Sequence, residues 1–190
     1  MTSVDEYNII TGGPSAGKSS VLRELEVRGY RTLPEAAQLV TDRAISKDQD
    51  PDLLYGSKAF ETRIESVDYK LARRAREADD VVFFDRTYVD ALAYREYFDL
   101  DTRDAKERVN DDLRNFTGNI NVFILDLVGL TEDYHRQEED EREAMNIHNQ
   151  IVETYNDLEW AFNDIYHIEP STVEQRADIV EGKIFNYIEQ

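Results

Sequence analysis

The run Gly12-Gly13-Pro14-Ser15-Ala16-Gly17-Lys18-Ser19 constrains this chain more than any other stretch. The spacing G-x-x-x-x-G-K-[ST] turns backbone N–H groups inward around phosphates. Its lysine reaches the outer phosphates and its hydroxyl ligates Mg²⁺. A β-rich run, residues 6–11, precedes it, and the helical spacing of Val21, Leu22 and Leu25 follows. The cradle therefore falls between a strand and a helix, whose N-terminal end adds partial positive charge. Gly12, Gly13, Pro14, Ser15, Ala16, Gly17, Lys18, Ser19 and Ser20 are the expected nucleotide-binding residues, with Ser19 on the metal. A glycine-rich turn that binds nothing is the competing reading.

Four more strand-like runs punctuate the chain, at residues 30–33, 81–84, 121–125 and 164–168. The third run overall, Val81-Val82-Phe83-Phe84, is uninterruptedly apolar, as suits a central parallel strand covered on both faces. Helical spacing is predicted over 36–45, 53–78, 89–97, 105–116, 137–160 and 173–188. Strands alternating with helices imply an α/β fold with a parallel sheet and helices on both faces. The length suits one domain, residues 1–190, with no second-domain linker.

Charge narrows the partners. With 41 acidic and 22 basic residues the formal charge is −19, a surface that repels nucleic acid and anionic lipid. The acids are spread along the chain, and self-repulsion on that scale is tolerable where salt screens it. The composition thus resembles that of proteins from salt-accumulating organisms, an ordinary acidic protein being the alternative. No apolar run is long enough to span a bilayer and no signal segment is seen, so a cytoplasmic protein is expected. Cysteine is absent, which removes thiolate chemistry.

In open parallel sheets, ligands bind outside the carboxyl ends of the strands, and the chemically suggestive residues fall there. Asp85 ends the apolar third run, where an acid orients Mg²⁺, although it also suits a helix cap. Arg86 beside it puts a fixed charge near the phosphates or the acceptor. Glu35, after the second run, can accept a hydroxyl proton or touch Mg²⁺, or simply favour a helix start. Asp90 reads as a polar helix-face residue. Arg136 is the candidate for neutralising a migrating phosphoryl group, ahead of Arg142. His135 and His148 lack metal-ligand spacing and read as exposed or capping. Tyr88 and Tyr94 would line a pocket only if their helix faces the cleft.

TGGPSAGKSS, the LPEAA turn and VVFFDRTYVDALAY together resemble the AAA_28-type P-loop ATPase/kinase family, which includes the kinase domain of nicotinamide riboside kinase. DYHRQEEDEREAMNIH and EPSTVEQRADIV are similar to its lid and its last strand–helix join. The resemblance implies a three-layer P-loop NTPase fold, kinase-like, with sheet order 2-3-1-4-5 and a lid near residues 130–150. It implies Mg²⁺ at Asp85, Glu35 and Arg86 on the acceptor side, Arg136 as the lid arginine, and residues 170–176, Arg176 included, near the nucleotide base. ATP is the expected donor, and GTP is compatible with the same cradle.

The expected function is a Mg-ATP-dependent kinase acting on a nucleoside-, nucleotide- or vitamin-like acceptor. Catalysis would rest on Lys18, Glu35, Asp85, Arg86 and Arg136, with Glu35 or Asp85 as base. The alternative is a nucleotide-binding switch or slow NTPase that regulates a partner. Neither the acceptor nor the oligomeric state is written in the sequence.

Overall fold

The protein is described by a computed structural model covering residues 6–50, 53–76, 81–128 and 138–188. Strand β1 (Glu6–Thr11) is central. Helix α1 (Lys18–Val27) leads to β2 (Arg31–Leu33), and α2 (Ala36–Ile45) and α3 (Lys58–Arg76) lead to β3 (Val81–Asp85). Then come α4 (Tyr88–Tyr97), α5 (Arg103–Asn115), β4 (Asn119–Leu125), α6 (Glu138–Asp157), β5 (Asp164–Ile168) and α7 (Val173–Ile188). All strand pairs are parallel, in the order β2-β3-β1-β4-β5, as expected.

Side chains alternate across the pleat and so feed two cores. Ile9, Phe84, Val122 and Ile124 pack with residues of α3, α4, α5 and α6. Ile10, Phe83, Phe123 and Leu125 pack with Val21, Leu22 and Leu25 of α1 and Ala177, Val180 and Ile184 of α7. Each central strand is covered on both sides, the reason Val82, Phe83 and Phe84 of β3 run unbroken apolar, while the buried Asn8 of β1 and Asn121 of β4 pair with each other, Asn121 Nδ2–H donating to Asn8 Oδ1 at 3.0 Å.

One boundary differs materially from the sequence expectation. Helix α3 starts at Lys58 rather than near residue 53. Gly56 takes a left-handed φ of 70°, and the Ser57 hydroxyl accepts from the Phe60 N–H at 3.2 Å. That cap begins the helix after the turn, although the apolar spacing runs on before it. Residues 77–78 of the expected helix lie outside the described residues. The expected helix over 137–160 divides into α6 and a short 3₁₀ turn, Glu159–Ala161.

Candidate active site

The strand register brings the site together. Asp85 pairs with Ile10, at the carboxyl end of β1, just before the glycine loop begins. Gly12 runs so close to β4 that a Cβ there would lie 2.4 Å from the Leu125 carbonyl oxygen, so only glycine fits. Gly17 caps α1 with a left-handed φ of 83°. Pro14, Ser15 and Ser19 line a cavity of about 430 Å³ beside the loop, together with Lys18. Ser20 is exposed, and Ala16 is wholly buried beneath the turn.

The loop is held from two sides by residues distant in sequence. The buried Arg176 donates Nη1–H to the Ala16 carbonyl at 2.6 Å, Nη2–H to that of Asp126 at 2.9 Å and Nε–H to that of Glu169 at 3.2 Å. Its guanidinium is thus engaged with main-chain carbonyls and braces the cradle from behind. On the other side the Gly13 N–H donates to His148 Nδ1 at 3.2 Å. His148 is buried, against the expectation of an exposed or capping histidine, because it lies one turn from Ala144 and Ile151 on the inner stripe of α6. Burial lowers its pKa, which favours the neutral ring that the acceptor role of Nδ1 requires.

Arg176→Gln should therefore leave carbonyls without partners and cost roughly 2–4 kcal/mol. On a chain of this size that lowers Tm by roughly 6–12 °C in a calorimetric scan. Lysine should not rescue the loss, since its three N–H bonds radiate from one nitrogen and do not span carbonyls met by three separate guanidinium nitrogens.

Lys18 is 7% exposed and donates Nζ–H to the carbonyls of Gly13 at 2.9 Å and Gly12 at 3.2 Å. Burial, reinforced by Arg86, pushes its pKa down, while Asp85, Glu35 and Asp90 oppose the shift. Burial likewise raises Asp85, with Glu35 acting in the same direction and Lys18 and Arg86 against it. Asp85 Oδ1 is buried with no hydrogen-bond partner.

Arg86 adopts a left-handed φ of 65°, fixed by its N–H donating to the Ile10 carbonyl at 3.1 Å. A non-glycine residue held there carries strain of roughly 1–3 kcal/mol, which collects at functional sites. Its Nε lies 3.0 Å from Glu35 Oε1, its Nη1 3.4 Å from Asp90 Oδ1, and its guanidinium sits 5.3 Å over the Tyr94 ring. Glu35, placed by the start of α2, is partly exposed and lines the cavity; Asp85 is not among the lining residues.

Asp90, expected as a polar helix-face residue, is instead a buried hub. It is 2% exposed and accepts from the Thr11 hydroxyl, the Tyr155 hydroxyl at 2.7 Å and the Thr87 N–H at 2.9 Å. Thr87 and Asp90 form a capping box that starts α4. The signal was legible as Thr-x-x-Asp. Tyr94 lines the cavity, whereas Tyr88 is buried in the core, stacked on Tyr69. Arg136 and His135 lie outside the described residues, and Arg142 is exposed on α6.

The far wall of the cavity is acidic and aromatic: Glu61 and Asp68 from α3, with Tyr55, Phe60 and Tyr94. On the same helix Glu65 is neutralised by Arg95 at 2.7 Å and Arg108 at 2.7 Å. Burial pushes Glu61 up to about 7, against Arg95, and raises Asp68 well above its ordinary value, with Asp90 and Glu35 adding to it.

The all-parallel sheet in this order, with helices on both faces and the loop leading into α1, defines the P-loop fold of nucleoside and nucleotide kinases. A family model described as an AAA domain (AAA_28) matches residues 8–176, and the chain belongs to that family. Deoxyadenosine kinase from M. mycoides, with dCMP and dCDP products bound, superposes with TM-score 0.66 at 15% identity, over 95% of this chain and 99% of that one. NadR protein in complex with NR gives 0.63 at 15% identity over 93% of this chain, which spans 50% of NadR's length. Thymidylate kinase from Candida albicans gives 0.62 at 12% identity, covering 98% and 94% of the two chains. No curated protein sequence matches the chain.

No helix among the described residues is long and apolar enough to cross a membrane.

Proposed function

We propose that the protein is an ATP-dependent kinase that phosphorylates a hydroxyl of a small, unphosphorylated, ring-bearing acceptor of the nucleoside type. One observation carries this reading: the phosphate cradle and a separate acidic, aromatic wall share one cavity, with Lys18, Glu35 and Arg86 on its surface. The wall of Glu61 and Asp68 supplies no cation, and of the lining's cations Lys18 is turned to the glycine loop and Arg86 to Glu35 and Asp90, so nothing on that wall neutralises a second phosphate on the acceptor. Tyr55, Phe60 and Tyr94 offer flat faces for a ring, and the carboxyls of Glu61 and Asp68 offer hydrogen bonds to its polar edge.

Lys18 and the N-terminal end of α1 hold the donor phosphates. Glu35 takes the proton from the acceptor hydroxyl as its oxygen attacks the γ-phosphorus and ADP departs. Arg86, aimed by Asp90 and balanced by Glu35, neutralises charge on the phosphoryl group in flight. The unpartnered Oδ1 of Asp85 and the exposed hydroxyl of Ser19 fit Mg²⁺. Among the described residues no cluster of three metal-ligating side chains exists, and Mg²⁺ needs only one or two protein ligands when phosphates supply others. The ion would neutralise the β- and γ-phosphate oxygens. Arg136 remains the proposed lid arginine.

The assay is ATP consumption with Mg²⁺ in high salt, the condition suited to so acidic a chain, across nucleosides and their monophosphates. Nucleosides should stimulate ADP formation and monophosphates should not. Stimulation by monophosphates alone would contradict the proposed acceptor class.

The acidic wall also has a cost that depends on pH. Glu61 keeps its proton to about 7 in the folded chain against 4.5 ordinarily. Its contribution is fully present below pH 4.5 and is lost as pH rises to about 7. Arg95, Tyr94 and Tyr55 are the charged or titratable groups acting with it. Glu61→Gln, neutral throughout, should stabilise the free protein by up to roughly 3 kcal/mol at pH 8. That gain should vanish by pH 4.5 in paired melting curves.

A further inference from the structure

The α2–α3 pair has a second face. One side walls the cavity with Glu35 and Thr41, then Glu61 and Asp68. The opposite side opens outward as another concavity of about 700 Å³. Arg43 and Lys47 face it from the α2 side, and Arg63 and Lys70 from α3. The floor between them is apolar and includes Leu39 and Val67.

The charge of this groove runs against the rest of the molecule. The chain carries 41 acids to 22 bases, yet no acidic side chain lines the groove. All four cations are exposed, and among the described residues none of them forms an ion pair. Four like charges around one depression repel one another unless an anion lies between them. On this chain that repulsion is not a by-product of a basic composition. The size also lies within the roughly 300–1,000 Å³ of small-ligand sites. An apolar floor inside a ring of cations suits a molecule with a flat body and several negative charges, better than it suits a bare anion.

We propose that this groove is a second ligand site, for a small organic phosphate of the nucleoside di- or triphosphate class. The flat ring rests on the floor at Leu39 and Val67, and the phosphates lie among Arg43, Lys47, Arg63 and Lys70. The site is separate from the glycine loop and does not depend on the kinase reading.

ATP titrated into the full chain by calorimetry should show two equivalents in the wild type. The combined variant Arg43→Gln, Arg63→Gln, Lys70→Gln should keep the tighter equivalent and weaken the other at least ten-fold. A single equivalent in the wild type that persists in the variant, or a second one unchanged in the variant, overturns the proposal, whereas a single equivalent lost in the variant supports the groove and counts against the glycine loop alone. Tripolyphosphate should bind the groove at least ten-fold more weakly than ATP, and equal binding overturns the flat-bodied ligand. Should the triple variant fail to fold, acylation of lysines in the wild type gives an independent readout. ATP should slow modification of Lys47 and Lys70 several-fold and leave the exposed Lys58 unchanged, and equal rates with and without ATP refute the site. A wild-type dimer, unaffected by ATP and lost in the triple variant, would instead make the groove an interface between copies.

Discussion

Replacing Lys18 by alanine is expected to remove phosphoryl transfer, by at least ~10³-fold in kcat/KM, which is ~4 kcal/mol of transition-state stabilisation. The ammonium is the cation of the cradle itself, 2.9 Å from the Gly13 carbonyl oxygen and buried beside Arg86 and Asp85. The fold should survive the change. A buried, partly desolvated ammonium is costly to keep, so its loss offsets the two carbonyl hydrogen bonds it makes. Tm should stay within a few degrees of the wild type, while ATP binding measured by calorimetry weakens sharply. Loss of activity with an unfolded variant would say nothing about the site, so melting curves accompany the kinetics.

Glu35→Gln has the second-largest expected effect. As general base Glu35 is expected to contribute ~10²–10⁴-fold to kcat, with the acceptor KM little changed because glutamine keeps the shape. Asp85→Asn separates the two carboxylates. It should raise the Mg²⁺ concentration needed for half-maximal rate, and excess Mg²⁺ should partly restore turnover. If Glu35→Gln were rescued by Mg²⁺ and Asp85→Asn were not, the two assignments would exchange. Geometry supports the stated assignment: Glu35 lines the cavity and Asp85, with one oxygen unpartnered, does not.

Much of this site was legible because its parts lie at places the backbone dictates. A glycine spacing with one physical use fixed the cradle. Short β-rich runs between breaks marked the strands, with only residues 81–84 apolar throughout, and Asp85, Arg86 and Glu35 stood out as candidates because they follow the carboxyl ends of such runs. What escaped depends on side chains meeting across long separations. Arg176 reaches the Ala16 carbonyl 160 residues away, and no local pattern distinguishes such a brace from a residue facing the nucleotide base. The burial of His148 was written in its spacing, since it shares the stripe of Ala144, Ile147 and Ile151.

Helix α3 teaches a similar lesson. Glu61, Glu65 and Asp68 follow one another at helical spacing on the side that carries Ile64, and all three are buried. A charged helix is ordinarily read as a solvated face. Acids recurring at the period of the apolar stripe instead face inward, where each needs a partner or a purpose. Glu65 has its arginines. Glu61 and Asp68 face the cavity, and the proposed acceptor class follows largely from them.

The γ-phosphoryl group held at GGPSAGKS is expected to pass to an acceptor in the same cavity. The most direct test follows the label from γ-³²P-ATP with Mg²⁺ and a nucleoside panel in high salt, resolving labelled products. Label is expected in a phosphorylated nucleoside, at a rate that rises with acceptor concentration and disappears in Lys18→Ala. Label appearing only as inorganic phosphate, at a rate no acceptor changes, would contradict it.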